Sequence, residues 1–468
     1  MKKYFNRYLI WFLIIIFSFA YSFYSLIRHR RLESLVFDLG IYDQMIWLAS
    51  QGKRLYSTIL DMPFFADHFT ISLVLLSPLF WLWNNVKALL IFQAVFVSIG
   101  AYPIYLLAKQ KTKDKMVALC LALAYLMFYG IQNAIAYDFH PIVLATALLA
   151  WLFYFYNLKK WRLFWPILIL ILGLQENFAL LTMGLGAFLF FQYKDYRRGI
   201  IISLLGLSWF LTVIYIIVPF SGHNNFFYMP LHLANKSLWE MLKMMIYPES
   251  KIMVILASLL GFGLLPVFSP FIFIFFLEEA IQRFVGSPFA TRWVTEYQYN
   301  AIFAPIMAVG FLDAYQRYFS KKKRIVIFML LMGIILTQLV FKPGLSNYLK
   351  PGFFKQTREN VDKLLAFIPK NSSVATTNNL GAHLSHREKI ILLTNCLEDK
   401  TLWGKETKRC FSVEPDYLIV DLSFGDNNVA YYPDYSKQAI INYLNYLETH
   451  AKYRLIKEQD MIYLWQKI

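Results

Sequence analysis

The chain has 468 residues, 58% of them hydrophobic and only 16% charged. A soluble domain holds about 45–50% apolar and about 25% charged residues, so this composition excludes a soluble globular protein and indicates a membrane protein with several spans. The net charge of +17 would suit nucleic acid, but many lysines and arginines fall in short clusters between apolar runs, where the positive-inside bias places them, so no nucleic-acid partner is expected.

The first apolar run, about 8–27, follows "MKKYFNRY" and has no small-residue cleavage site, so it reads as a retained anchor. "RHRR" (28–31) then opens a polar loop, 28–85. In "FDLGIYDQMIWLA", Tyr42, Met45, Ile46 and Ala49 recur at helical spacing, which predicts an amphipathic helix able to lie on the membrane surface. Asp38 stands just before it, either as an N-cap or as a carboxylate held at the outer interface. Asp43 points to another side of the same helix.

Further spans are predicted at roughly 86–108, 116–131, 141–157, 163–174, 177–192, 199–218, 251–265, 271–285, 300–316 and 325–341, eleven in all with the first. The run 68–83 carries Pro78 and either spans or lies along the membrane. Charge decides. If it lies along, the basic clusters at 1–7, 109–115, 158–162, 193–198 and 317–324 share the inner side, and the loop 28–85 and the tail lie outside. The expected location is therefore the cell membrane, multi-pass, with the N-terminus inside.

Polar groups recur at the outer ends of these spans. "ADHF" supplies His68, "YDFHP" supplies Asp138 and His140, and "LGLQENFAL" supplies Glu176. Ionisable groups near apolar spans are costly and mark candidate sites. With Asp38 and Asp43 they are candidates for a general base, for substrate or acceptor contacts, or for a divalent cation such as Mg or Mn, although no tight metal-spacing motif is present. In "LEEAIQRFVGSPFATRWVTEYQYN", Arg292 and Arg283 face outside amid Tyr299 and other aromatics, and guanidinium groups match phosphate in a bidentate fashion.

After Pro343 the sequence becomes mixed and polar. Amphipathic helices are predicted in "TRENVDKLLAFIP" and "SKQAIINYLNYLETH". Strands are predicted in "SVATT", "KIILLT" and "DYLIVDL", with two more in "YRLIKEQDMIYLWQ". The expected fold is thus an α-helical polytopic domain, 1–341, followed by a small extracytoplasmic α/β domain, 342–468. Cys120 reads as packing inside an apolar run, and Cys396 and Cys410 are a disulfide candidate in an oxidising compartment.

"FDLGIYDQMIWLASQG", "YDFHP", the "QEN" turn, "ATRWVTEYQYNAIFAPI", "VATTNNLGAHLSHRE" and "PDYLIVDL" resemble, in order along nearly the whole chain, the domain-of-unknown-function family 2079 of predicted membrane proteins, placed in the GT-C glycosyltransferase superfamily. The resemblance implies juxtamembrane helices in the first outer loop. It also implies transfer of a sugar, with inversion, from a polyprenyl-phosphate donor to a glycan, lipid or protein acceptor. Asp38 matches the superfamily's acidic residue in that loop, with Glu176 as a second catalytic candidate and Arg292, Arg283 and Tyr299 meeting the lipid phosphate. The family usually has Lys-Glu-Asp at the outer turn, whereas this chain has Gln175-Glu176-Asn177. A non-catalytic relative acting as a scaffold, and a transporter or flippase, are the competing readings.

Overall fold

The computed structural model describes residues 2–221, 228, 230–350, 361–393, 414–424, 437–450 and 452–468. It divides into two compact units: residues 1–25, 65–73 and 91–353 form the first, and residues 26–64, 74–90 and 354–468 the second. This division differs from the linear one drawn from composition, because most of the loop 28–85 falls in the same unit as the tail.

The first unit is helical. A helix occupies each of the eleven stretches predicted to span, and five are long and apolar enough to cross a membrane: Tyr8–Arg30, Lys87–Thr112, Lys115–Tyr137, Tyr196–Phe220 and Lys323–Phe341. Others are short, such as Trp161–Leu172 and Phe178–Gln192. At 1.5 Å rise per residue such pieces cover about 18–22 Å, less than a hydrocarbon core of about 30 Å. The polar turn between them, Gln175–Asn177, is buried at Gln175 and Glu176. The ambiguous run 68–83 is a short 3₁₀ segment, Ile71–Leu76, and a helix, Pro78–Leu82, broken at Ser77–Pro78. Its Leu75, Trp81 and Leu82 are exposed.

Gly130 shows how closely the first unit packs. It opens the helix Tyr129–Tyr137, and a Cβ there would stand 2.6 Å from the backbone of Asn300. Only a glycine lets the 298–300 turn, which carries Tyr299, seat against this helix.

The second unit contains a small hairpin, β1 (Tyr56–Ser57) and β2 (Met62–Pro63), and a five-stranded sheet. The sheet comprises β3 (Val374–Thr376), β4 (Ile390–Leu392), β5 (Tyr417–Asp421), β6 (Tyr453–Gln459) and β7 (Ile462–Lys467), in the order β4-β3-β5-β7-β6. β4, β3 and β5 run parallel, while β7 is antiparallel to both β5 and β6. The helix Lys437–Thr449 covers one face with Ile440, Leu444 and Leu447, packed with Leu418, Val420 and Trp465. β3 and β5 are buried at every position, as strands covered on both faces are, and Leu418 and Val420 on one face of β5 meet the helix's apolar stripe.

The helix predicted to lie on the membrane is Ile41–Ser50, and its surroundings differ from that expectation. Ile41, Tyr42, Asp43, Gln44, Met45, Ile46 and Leu48 are all buried, so it is a core element of the second unit. Its N-cap is Gly40, without a side-chain cap, so Asp38 is not the capping residue.

Candidate functional site

In the first unit, side chains far apart in sequence gather around one ion pair. His68 Nδ1 lies 2.7 Å from Glu176 Oε1, and the Phe69 N–H donates to Glu176 Oε2 at 3.1 Å. Both side chains are largely shielded from solvent, at 12% and 5% exposure. Burial alone would lower the pKa of His68, but the charges of Glu176 and Asp67 and the hydrogen bond to Glu176 outweigh it, and the net shift is upward. Burial likewise raises Glu176, and the His68 charge and hydrogen bonds pull it below its ordinary value. Each shift favours the charged form of its own group.

An aromatic and cationic wall adjoins the pair. The Tyr228 ring stacks on His68 with centroids 4.5 Å apart, and its hydroxyl donates to Asp67 Oδ1 at 3.2 Å. The Arg292 guanidinium lies 5.0 Å from the Tyr228 ring centroid and 5.4 Å from that of Tyr299. His140 meets Tyr299 edge-on at 5.7 Å. Burial, and then the charges of His68 and Arg292, push the His140 pKa well down, so it is a neutral imidazole. Its Nδ1 accepts the Ile142 N–H at 3.3 Å, capping the next helix and leaving the proton on Nε2.

The "YDFHP" turn is held from outside. Gln93 donates to the Asp138 carbonyl at 2.9 Å, and its own carbonyl accepts the His140 N–H at 2.8 Å. Asp138 is buried beside it. His68, His140, Glu176, Arg292 and Tyr299 thus fall in one cluster, and Tyr228, Asp67 and Gln93 join them. Gln93 could have been suspected as a lone amide in the apolar run "ALLIFQAVFV". Tyr228 carried no signal, being one of 31 tyrosines.

Arg283 has a different place from the expected one. It is 2% exposed, ion-paired with Glu279 at 2.7 Å, and its Nε and Nη atoms donate to the carbonyls of Arg292 and Tyr299 and to Asn300 Oδ1. These contacts use all five guanidinium N–H groups, which leaves none for a lipid phosphate. Arg283 is a brace that fixes the backbone of Arg292 and Tyr299. Arg283→Leu is expected to cost about 3–5 kcal/mol, because Glu279 is left buried and unpaired. A fall in thermal midpoint in detergent, with Arg283→Lys recovering only part of it, checks this.

In the second unit, Asp38 adopts φ +68° and ψ −84°, close to the rare and strained classic γ-turn conformation. Such outliers cost about 1–3 kcal/mol and cluster at functional sites. Asp43 departs from the expected substrate or metal contact. It is fully buried, accepts the Ser385 hydroxyl at 2.5 Å, and pairs with His386 Nε2 at 3.0 Å. His386 Nδ1 in turn lies 2.7 Å from Asn84 Oδ1. Asp43 therefore ties the first loop to the tail segment "LSHRE" inside this unit.

Among the described residues, no group of three His, Cys, Asp or Glu side chains is arranged to hold a metal ion. In the first-unit cluster Glu176 is engaged by His68 and the Phe69 N–H, and Arg292 lies beside the Tyr228 and Tyr299 rings. Cys396 and Cys410 lie outside the described residues. Cys120 is a free, buried thiol, in keeping with packing.

Residues 28–464 match the model of the family described as "Predicted membrane protein (DUF2079)", and the chain belongs to that family. Two solved structures share its fold. ArnT from Cupriavidus metallidurans bound to undecaprenyl phosphate is 11% identical, with 97% of each chain covered and a TM-score of 0.54. The same protein in the apo state is 12% identical, with 97% of each chain covered and a TM-score of 0.57. Comparison with curated proteins gives no match.

Proposed function

We propose that this protein is a GT-C-type glycosyltransferase, moving a sugar from a polyprenyl-phosphate donor to a glycan, lipid or protein acceptor at the outer face of the cell membrane, with inversion. In this reading the chain crosses the membrane eleven times, with its N-terminus inside and residues 342–468 outside. The observation that carries the proposal is Arg292 framed by the Tyr228 and Tyr299 rings beside the His68–Glu176 pair. A guanidinium on aromatic faces is less hydrated than an ammonium and offers a planar fork to phosphate oxygens. That the similarly folded ArnT was solved with undecaprenyl phosphate supports a lipid-linked donor here.

The proposed chemistry is one displacement. An acceptor hydroxyl attacks the anomeric carbon on the face opposite the phosphate. The new carbon–oxygen bond forms as the bond to the phosphate oxygen breaks. The hydroxyl proton passes to a general base, the role the resemblance gives to Asp38, and the polyprenyl phosphate leaves as an anion of the kind that a guanidinium such as Arg292 is suited to meet.

A membrane scaffold without catalysis is the second reading, and one observation favours it. The turn holds amides at 175 and 177, and Asn177 uses its side chain to donate to Gln282 at 3.2 Å, a structural brace.

Arg292→Ala in the purified protein is expected to weaken binding of undecaprenyl phosphate at least tenfold, which is about 1.4 kcal/mol. Arg292→Lys should restore part of it. Equal affinity in wild type and Arg292→Ala, measured by titration in detergent micelles, would overturn the phosphate assignment.

A further inference from the structure

In open sheets with parallel strands, ligands bind beyond the carboxyl ends of the strands, where successive connections leave in opposite directions. The tail sheet has such a point. From β3 the chain goes to β4 on one side and then to β5 on the other. The loops after β3 and β5 meet there through a buried network. Asn379 donates to Asp421 Oδ2 at 2.9 Å, Thr377 donates to Asn379 Oδ1 at 2.9 Å, and the Ser423 N–H donates to Asp421 Oδ1 at 2.9 Å.

The segment engaged at this point is part of the same chain. Asn378, fully buried, accepts through Oδ1 the backbone N–H groups of Val36 at 3.0 Å and Phe37 at 3.3 Å. Both partners are donors, so the carbonyl end of the amide must face them. Gly381, one turn on, sits so close that a Cβ would stand 2.7 Å from the Val36 side chain. The next residue after Phe37 is Asp38, with its positive φ. A strained residue persists only where its surroundings over-determine it, and here two amides before it are clamped while the buried helix Ile41–Ser50 follows it.

We propose that Asn378 is the positioning residue for Asp38. The tail sheet takes the Val36–Phe37 backbone in the place where a related sheet would take a ligand, and so sets the direction of the Asp38 carboxylate. The proposal rests on the reading of Asp38 as the general base. It makes the tail a component of the transfer machinery, one that acts without touching substrate.

The test uses the full-length protein in lipid vesicles. Hydrogen–deuterium exchange should show the Val36 and Phe37 amides protected in wild type. Asn378→Ala should speed their exchange at least tenfold while the β3 and β5 amides stay protected. Asn378→Asp, whose carboxylate still accepts both N–H groups, should restore protection. With a lipid extract of the producing cells as donor, Asn378→Ala should lower kcat at least tenfold with KM unchanged, and Asn378→Asp should recover most of it. Wild-type amides that exchange without protection would overturn the proposal, as would unchanged kcat in Asn378→Ala or no rescue by Asn378→Asp. Absence of any transfer by wild type would instead refute the transferase reading, while the exchange experiment still reports on the clamp.

Discussion

Asp38→Asn is expected to reach the membrane at wild-type abundance and to lose sugar transfer by about 10²–10⁴-fold, the usual range for a positioned general base. The substitution is nearly isosteric. Asparagine also tolerates positive φ about as well as aspartate does, so the backbone at φ +68° is kept. What is removed is the ability to take the acceptor's proton. Donor binding should therefore stay near wild type, and the loss should fall on kcat. A loss in KM alone would mean that Asp38 holds substrate rather than a proton.

Glu176→Gln is expected to be the most destabilising single change in the cluster, by about 3–5 kcal/mol, because it leaves His68 buried against a neutral partner. The pH dependence has a definite sign. His68 is raised in the folded state, so its contribution is complete below its ordinary value near 6.5 and is lost as pH rises through the raised value. Glu176 is lowered, so its contribution is complete above its ordinary value near 4.5 and is lost as pH falls through the lowered value. The stability gap between wild type and Glu176→Gln should be widest between these two ordinary values and narrow on both sides. A gap that does not change with pH would mean that the pair is not ionised. Donor affinity should fall as well, because Glu176 also fixes the Phe69 N–H and through it the 67–69 segment beneath Tyr228.

The helices and strands were legible in the sequence because each follows one periodicity, and apolar runs and alternating tail segments fall where helices and strands lie. His68, His140, Glu176, Arg292 and Tyr299 stood out in the sequence as polar groups at the ends of apolar runs, and these five fall in one cluster. Partnership was not. Asp43 and His386 are more than three hundred positions apart, and nothing near Asp43 announces that both its oxygens are taken. Arg283 and Arg292 looked alike as outer arginines. Only the fold gives one of them a carboxylate and three carbonyl contacts and sets the other against tyrosine rings. The strain at Asp38 was also hidden. The adjoining pattern read as a helix with a capping aspartate, but the N-cap is Gly40, and Asp38 lies two residues before it at positive φ, just after two amides that donate to Asn378.

The most direct measurement follows both products of the proposed displacement. Purified protein in vesicles is given radiolabelled lipid-linked sugars extracted from the producing cells, and released polyprenyl phosphate and acceptor-bound label are counted together. The two should appear in equal amounts with wild type and vanish together with Asp38→Asn. Label that reaches no acceptor in wild type, or lipid phosphate released equally by the Asp38→Asn protein, would contradict the assignment of sugar transfer to this chain.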